Sequence, residues 1–155
     1  MAAAAAAATK GAVMQYVSNA VQTVPSGGSL TFDPNFGCRR CCNNGITHRP
    51  SSGIFTLQAG RTYLISFKAN IALAEGAAVG PIALALAIDG EAVPVTRAIV
   101  TPAAVGDYFG VYLTYELAVP CQCCQNVSIE NVLPAADATG VPVDVQNAII
   151  RIDPK

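Results

Sequence analysis

Two long runs of alternating apolar and polar residues, with turn formers at short regular spacing between apolar stretches, predict an all-β antiparallel sandwich or barrel. The first run is Leu57 to Ile71, LQAGRTYLISFKANI, where Tyr63, Ile65, Phe67, Ala69 and Ile71 alternate with Leu64, Ser66, Lys68 and Asn70. Side chains two apart in a strand share a face, so this strand has one apolar and one mostly polar face. The second run is Phe109 to Val119. It sets Phe109, Val111, Leu113, Tyr115, Leu117 and Val119 against Tyr108, Tyr112, Thr114 and Glu116. The face bearing Phe109 and Tyr115 is expected in the core. No convincing internal helix is predicted.

The other elements follow in order. Ala12 to Val24 mixes β-branched and polar residues and ends at the Pro25-Ser26-Gly27-Gly28 turn, so it reads as a strand closing near Val24. Ser29 to Phe32 is a short strand, and Asp33 to Pro50 is a turn-rich segment. Ile54, Thr56 and Leu57 lead through Ala59-Gly60 into the first long strand. After Gly80-Pro81, Ile82 to Ile88 (IALALAI) has a large-residue face and an alanine face suited to close contact with another layer or chain. Asp89-Gly90 predicts a hairpin turn, followed by Ala92 to Val95 and Arg97 to Val100. Val127, Ile129 and Val132 mark one more strand, Pro134 to Pro142 a loop, and Val143 to Ile152 the last strand.

Composition narrows the class. The 155 residues suffice for one domain with a proper core. Only 12% are charged, about half the usual share, and 52% are hydrophobic, which predicts subunit contacts. With a net charge of −1 and scattered Lys and Arg, there is no basic track for nucleic acid. No apolar run is long enough to span a bilayer. The opening MAAAAAAATKGA lacks the basic and large apolar regions of a signal peptide. Residues 1–12 read as an alanine-rich arm and 13–155 as the domain. The arm is either a frayed tail or a segment that orders against a neighbouring subunit.

Six cysteines fall in two clusters, Cys38-Arg39-Arg40-Cys41-Cys42 and Cys121-Gln122-Cys123-Cys124, both in turn-rich segments. Six allow fifteen intrachain pairings. Side chains of neighbouring cysteines diverge, so Cys41, Cys42, Cys123 and Cys124 favour bridges between clusters or between subunits, each typically worth about 2–4 kcal/mol. A zinc site is the rival: Cys38 and Cys41 have C-x-x-C spacing, and Cys121 with Cys123 or Cys124 would complete a tetrahedral set. The second spacing, C-x-C-C, is tighter than a zinc knuckle. Free thiols are the third reading. Arg39 and Arg40 beside them would favour the thiolate, or are simply solvated loop cations.

No catalytic group stands out. His48 is the lone histidine and has no evident nucleophile with a third orienting group. Asp89, Glu91 and Asp107 sit at turns, where such residues usually shape the loop. Asn126-Val127-Ser128 matches the glycosylation sequon, at a position where a strand begins.

The runs GIFTLQAGRTYLISFKANI, IALALAIDGEAVP and VQNAIIRID, in that order, resemble the C-terminal domain of exosporium collagen-like glycoproteins. Leu57, Gly60 and Tyr63 carry the spacing of the first motif. The resemblance spans roughly Val13 to Asp153. It implies a tumour-necrosis-factor-like jelly roll, homotrimers whose sheets pack around a threefold axis, and a non-enzymatic structural role. It further implies a place on a spore or cell surface, among other surface-layer proteins. A trimeric adhesin that recognises a receptor or glycan through its loops is the alternative. This chain departs from the family in lacking a Gly-X-Y stalk and in carrying the two cysteine clusters.

Overall fold

Alternation in the two long runs places them side by side in one sheet. The computed structural model describes residues 14–34 and 45–155, which form twelve strands in two antiparallel sheets. Sheet A runs β10 (Phe109–Ala118), β6 (Thr62–Leu73), β12 (Val143–Pro154), β1 (Met14–Ser18) and β3 (Asp33–Pro34), with β2 (Gln22–Val24) also on β12. Sheet B runs β4 (Ile46–His48), β5 (Phe55–Leu57), β11 (Gln125–Val132), β7 (Ile82–Ile88) and β8 (Glu91–Ala92), with β9 (Ala98–Val100) also on β7. The chain crosses from β5 to β6 to β7, and again from β9 through β10 and β11 to β12, changing sheets each time. That alternation is a jelly-roll sandwich.

Tyr63, Ile65, Phe67, Ala69 and Ile71 of β6 are buried, as the alternation requires. β10 pairs along one edge of β6 and puts Val111, Leu113 and Leu117 on the same inner face. Sheet B answers with Phe55, Leu57, Leu84, Leu86, Val127 and Ile129. Aromatic rings knit the layers: Phe32 lies 5.7 Å from Phe55 and 6.3 Å, edge-on, from Phe67.

β12 changes parity midway. Val143 and Val145 are buried, and then Ala148, Ile150 and Ile152. Gln146 pairs with Asn70 but Ile149 pairs with Lys68, so Asn147 and Ala148 oppose a single residue of β6. This is a β-bulge, and Asn147 has φ 52°, a left-handed conformation that asparagine tolerates better than most residues. β1 and β2 break opposite the same point, since Ser18 pairs with Ala148 and Gln22 with Val145. The single strand expected from Ala12 to Val24 is therefore two.

Other expectations are corrected. Ser29 to Phe32 makes only isolated bridges, Ser29 to Glu130 and Phe32 to Ser52. Pro94–Thr96 is a 3-10 turn, where proline suits the first position; Thr96 accepts the Leu86 N–H and donates to the Val93 carbonyl, holding the turn against β7. Phe109 has core parity but is 41% exposed, because it begins an edge strand, and Tyr115 is only partly buried. Of the two uses expected for the alanine face, contact with another chain is the one corrected, because Ala83, Ala85 and Ala87 are buried within the single chain. The Asp89-Gly90 turn holds: φ is 51° and 82°, as a type I′ hairpin between β7 and β8 needs.

Among the described residues no helix is long and apolar enough to cross a membrane. The arm at residues 1–12 lies outside the described residues. Replacing Phe67 by Ala should cost about 3–5 kcal/mol in urea denaturation through lost burial and a cavity. Thr114→Ala, on the exposed face of the neighbouring strand, should stay within about 0.5 kcal/mol.

Candidate functional site

One end of the sandwich gathers most of what the fold does not consume. The β5–β6 turn is tied there by Gly60, whose N–H is shared by the Val119 and Pro120 carbonyls at 3.0 and 3.2 Å. Val119 N–H returns a bond to the Arg61 carbonyl at 2.8 Å. Gly60 has φ 75°, and a Cβ on it would lie 3.7 Å from Cys121 Sγ. The β10–β11 connection that follows carries Cys121, Cys123 and Cys124, all exposed and unbridged among the described residues.

Gly45 closes on the same turn from the other side. Its carbonyl accepts the Gln58 N–H at 2.8 Å and the Tyr63 hydroxyl at 3.1 Å. Its φ of 74° is left-handed, and a Cβ there would collide with the Tyr63 hydroxyl. Burial raises the Tyr63 phenol above its ordinary value. The bond from Gln58 and the charge of Arg61 pull it down, and the nearby Cys124 pushes it up. The first described strand and the C-terminal residue also lead here. Lys155 N–H bonds the Thr62 carbonyl at 2.9 Å, and β1 starts with Met14 opposite Ile152 near the end of β12. β3 runs antiparallel to β1, so the chain leaves Pro34 toward the Met14 end.

Cys38, Cys41 and Cys42, with Arg39 and Arg40, lie outside the described residues. No group of three or more metal-ligating side chains stands together among the described residues.

His48 is a packing residue. Its ring stacks on Phe55 at 4.3 Å and meets the edge of Tyr16 at 4.6 Å. Nε2 faces the Ser52 carbonyl at 2.9 Å and so carries the proton, while Nδ1 is buried without a partner. Asp33 is spoken for as well: Oδ1 accepts the Ser51 N–H and hydroxyl and shapes the β4–β5 turn, where Ser51 has φ 60°. Asp89 likewise accepts the Asn126 N–H, and the exposed Asn126 amide oxygen accepts the Thr56 hydroxyl at the start of β11.

A second feature was hidden in the polar face of the first alternating run. On the outer side of sheet A, Lys68, Asn70, Gly110, Tyr112, Asn147 and Ile149 border a hollow of about 410 Å³. Tyr112, Lys68 and Ile149 form one cross-strand row, and Gly110, Asn70 and Gln146 the next. The parity switch between Val145 and Ala148 is the sequence signal that would have found it.

No protein-family model matches the chain, and no curated protein matches it. Solved structures do. The globular domain of zebrafish complement 1qA superposes with a TM-score of 0.58 at 13% identity, over 90% of this chain and 94% of that one. Murine APRIL at pH 8.5 gives 0.56 at 10% identity, over 91% and 97%. The same protein at pH 5.0 gives 0.54 at 12%, over 90% and 97%. The fold is a C1q- and tumour-necrosis-factor-like jelly roll. At such identities the likeness carries architecture and not activity, and the jelly roll implied by the exosporium-type motifs is the one found.

Two measurements test this description. Gly45→Ala should cost on the order of 1–3 kcal/mol in chemical denaturation, and adding Tyr63→Phe should recover part of it by removing the colliding oxygen. Burial pulls His48 below 6.5, against the Ser52 carbonyl and the Asp33 charge, which raise it. The folded state therefore holds this proton less tightly than the unfolded chain. Stability should be full above pH 6.5 and decline as pH falls through 6.5 toward the lower folded value. His48→Gln should flatten that part of the profile.

Proposed function

We propose that the protein is a non-catalytic structural subunit that self-assembles as a homotrimer and is covalently reinforced at one end by its cysteines. The observation that carries this reading is the convergence of Met14, Lys155, Gly45 and the Cys121–Cys124 loop on one end of the sandwich. Cys42 precedes Gly45 by three residues, a tether of at most about 11 Å, which supports a bridge between the clusters. Cross-links at this end would join subunits without disturbing the opposite end.

Exposed apolar surface supports assembly. Val95 is 82% and Ile99 51% exposed, on the 3-10 turn and β9 beside the edge strand β10, where Tyr108 and Phe109 are also exposed. Tyr112, 64% exposed, and Ile149 stand on the outer face of sheet A. Two different patches suit a head-to-tail contact that closes into a ring. A surface role on a spore or cell, with other surface-layer proteins as neighbours, follows from the motifs that resemble exosporium glycoproteins. The low share of charged residues agrees with life in a packed layer.

Non-reducing electrophoresis of protein purified under oxidising conditions should show covalent multimers that collapse with reductant. Replacing Cys121, Cys123 and Cys124 by Ser should abolish the ladder while native mass spectrometry still reports a trimer. A monomer in both forms would overturn the proposal. Removing residues 2–10 should weaken higher assembly if the arm contributes to it; unchanged assembly in negative-stain images would make those alanines a tail.

A further inference from the structure

The hollow on sheet A is built from residues that ordinary packing does not explain. Gly110 has no left-handed φ, so its backbone does not require glycine, and the missing side chain is what opens the space beside Asn70. The β12 bulge brings Asn147 to the rim, in a conformation unusual for a residue with a side chain. Tyr112 supplies an aromatic wall and a hydroxyl, and Ile149 an apolar floor. Lys68 is the only charged residue on the lining and has no ion-pair partner among the described residues.

We infer that this hollow binds a small organic carboxylate of about monosaccharide size, with the Lys68 ammonium as its counter-charge. The amides of Asn70 and Asn147 and the Tyr112 hydroxyl are the hydrogen-bonding groups around it. Charge complementarity selects the ligand class: one cation, three neutral groups that can donate, and no acid on the lining. Its volume falls within the usual range of small-molecule sites. The inference rests on the proposed trimer for one consequence. If a neighbour's β9–β10 edge covers the hollow, Lys68 loses water, and an unpaired buried ammonium is strongly unfavourable. Residues 93–106 contain Arg97 and no acidic residue, and the exposed Asp107 stands directly before Tyr108. In a covered hollow the charge opposite Lys68 therefore comes either from a bound carboxylate or from the neighbour's Asp107. The glucuronate response separates the two.

The test uses the full chain with D-glucuronate as probe and D-glucose as its uncharged counterpart, read by thermal midpoint and by native mass spectrometry. Glucuronate should raise the midpoint in a dose-dependent way, and glucose should not. Lys68→Met should abolish the response while the protein remains folded. Gly110→Val, which fills the hollow without backbone strain, should abolish it independently. No response of the wild-type trimer to glucuronate would overturn the inference, and so would an equal response of Lys68→Met or of Gly110→Val. Loss of the trimer in Lys68→Met, with no glucuronate response in the wild type, would assign the lysine to a neighbour's carboxylate instead. A wild-type monomer would overturn the assembly proposal, and the glucuronate response would still decide the carboxylate site.

Discussion

Register along β6 is the constraint on which the rest of the structure depends. This strand pairs on both edges, with β10 on one side and β12 on the other, and every side chain of its inner face, from Tyr63 to Leu73, is buried. A one-residue slip would turn Tyr63, Ile65 and Phe67 to solvent and Lys68 to the core, so packing fixes the pairing unambiguously. Tyr63 makes the link from register to site. Its ring belongs to the core and its hydroxyl ends at Gly45, so the strand that orders the sheet also anchors the segment returning from the first cysteine cluster.

One end and the two sides of sheet A then acquire separate roles. One end holds Met14, Lys155, the β5–β6 turn and the exposed thiols. The outer face of sheet A holds the hollow, bounded by a glycine on one strand and a bulge on another. The inner faces are left to packing alone. Even the polar groups enclosed there serve structure: the Asn131 amide donates to the Val24 and Val141 carbonyls and joins three segments across the sandwich.

Much of this was legible in the sequence because half-buried strands must alternate. The two long runs, the Asp89-Gly90 turn and the terminal strand are where the periodicity places them. What escaped has physical reasons. Phe109 keeps core parity, but a residue that opens an edge strand has no neighbour to cover it. The alanines of β7 suited contact with either another layer or another chain, and periodicity does not say which; they are fully buried within the single chain. The parity change from Val145 to Ala148 is a single-residue break within an apolar strand, and the hollow beside Asn147 follows from it only once the pairing with β6 is known. For the cysteines, spacing favoured bridges over a zinc site and free thiols, and did not fix the pairing. Sequence distance between the clusters gave no sign that Gly45 and Cys121 flank the same turn, because that proximity is a product of sheet topology.

The most direct test of the central claim is disulfide mapping by mass spectrometry of the oxidised assembly, digested without reduction. The account predicts linked peptides that join Cys38, Cys41 or Cys42 to Cys121, Cys123 or Cys124. Six free thiols after oxidation, or bridges confined within each cluster, would contradict it.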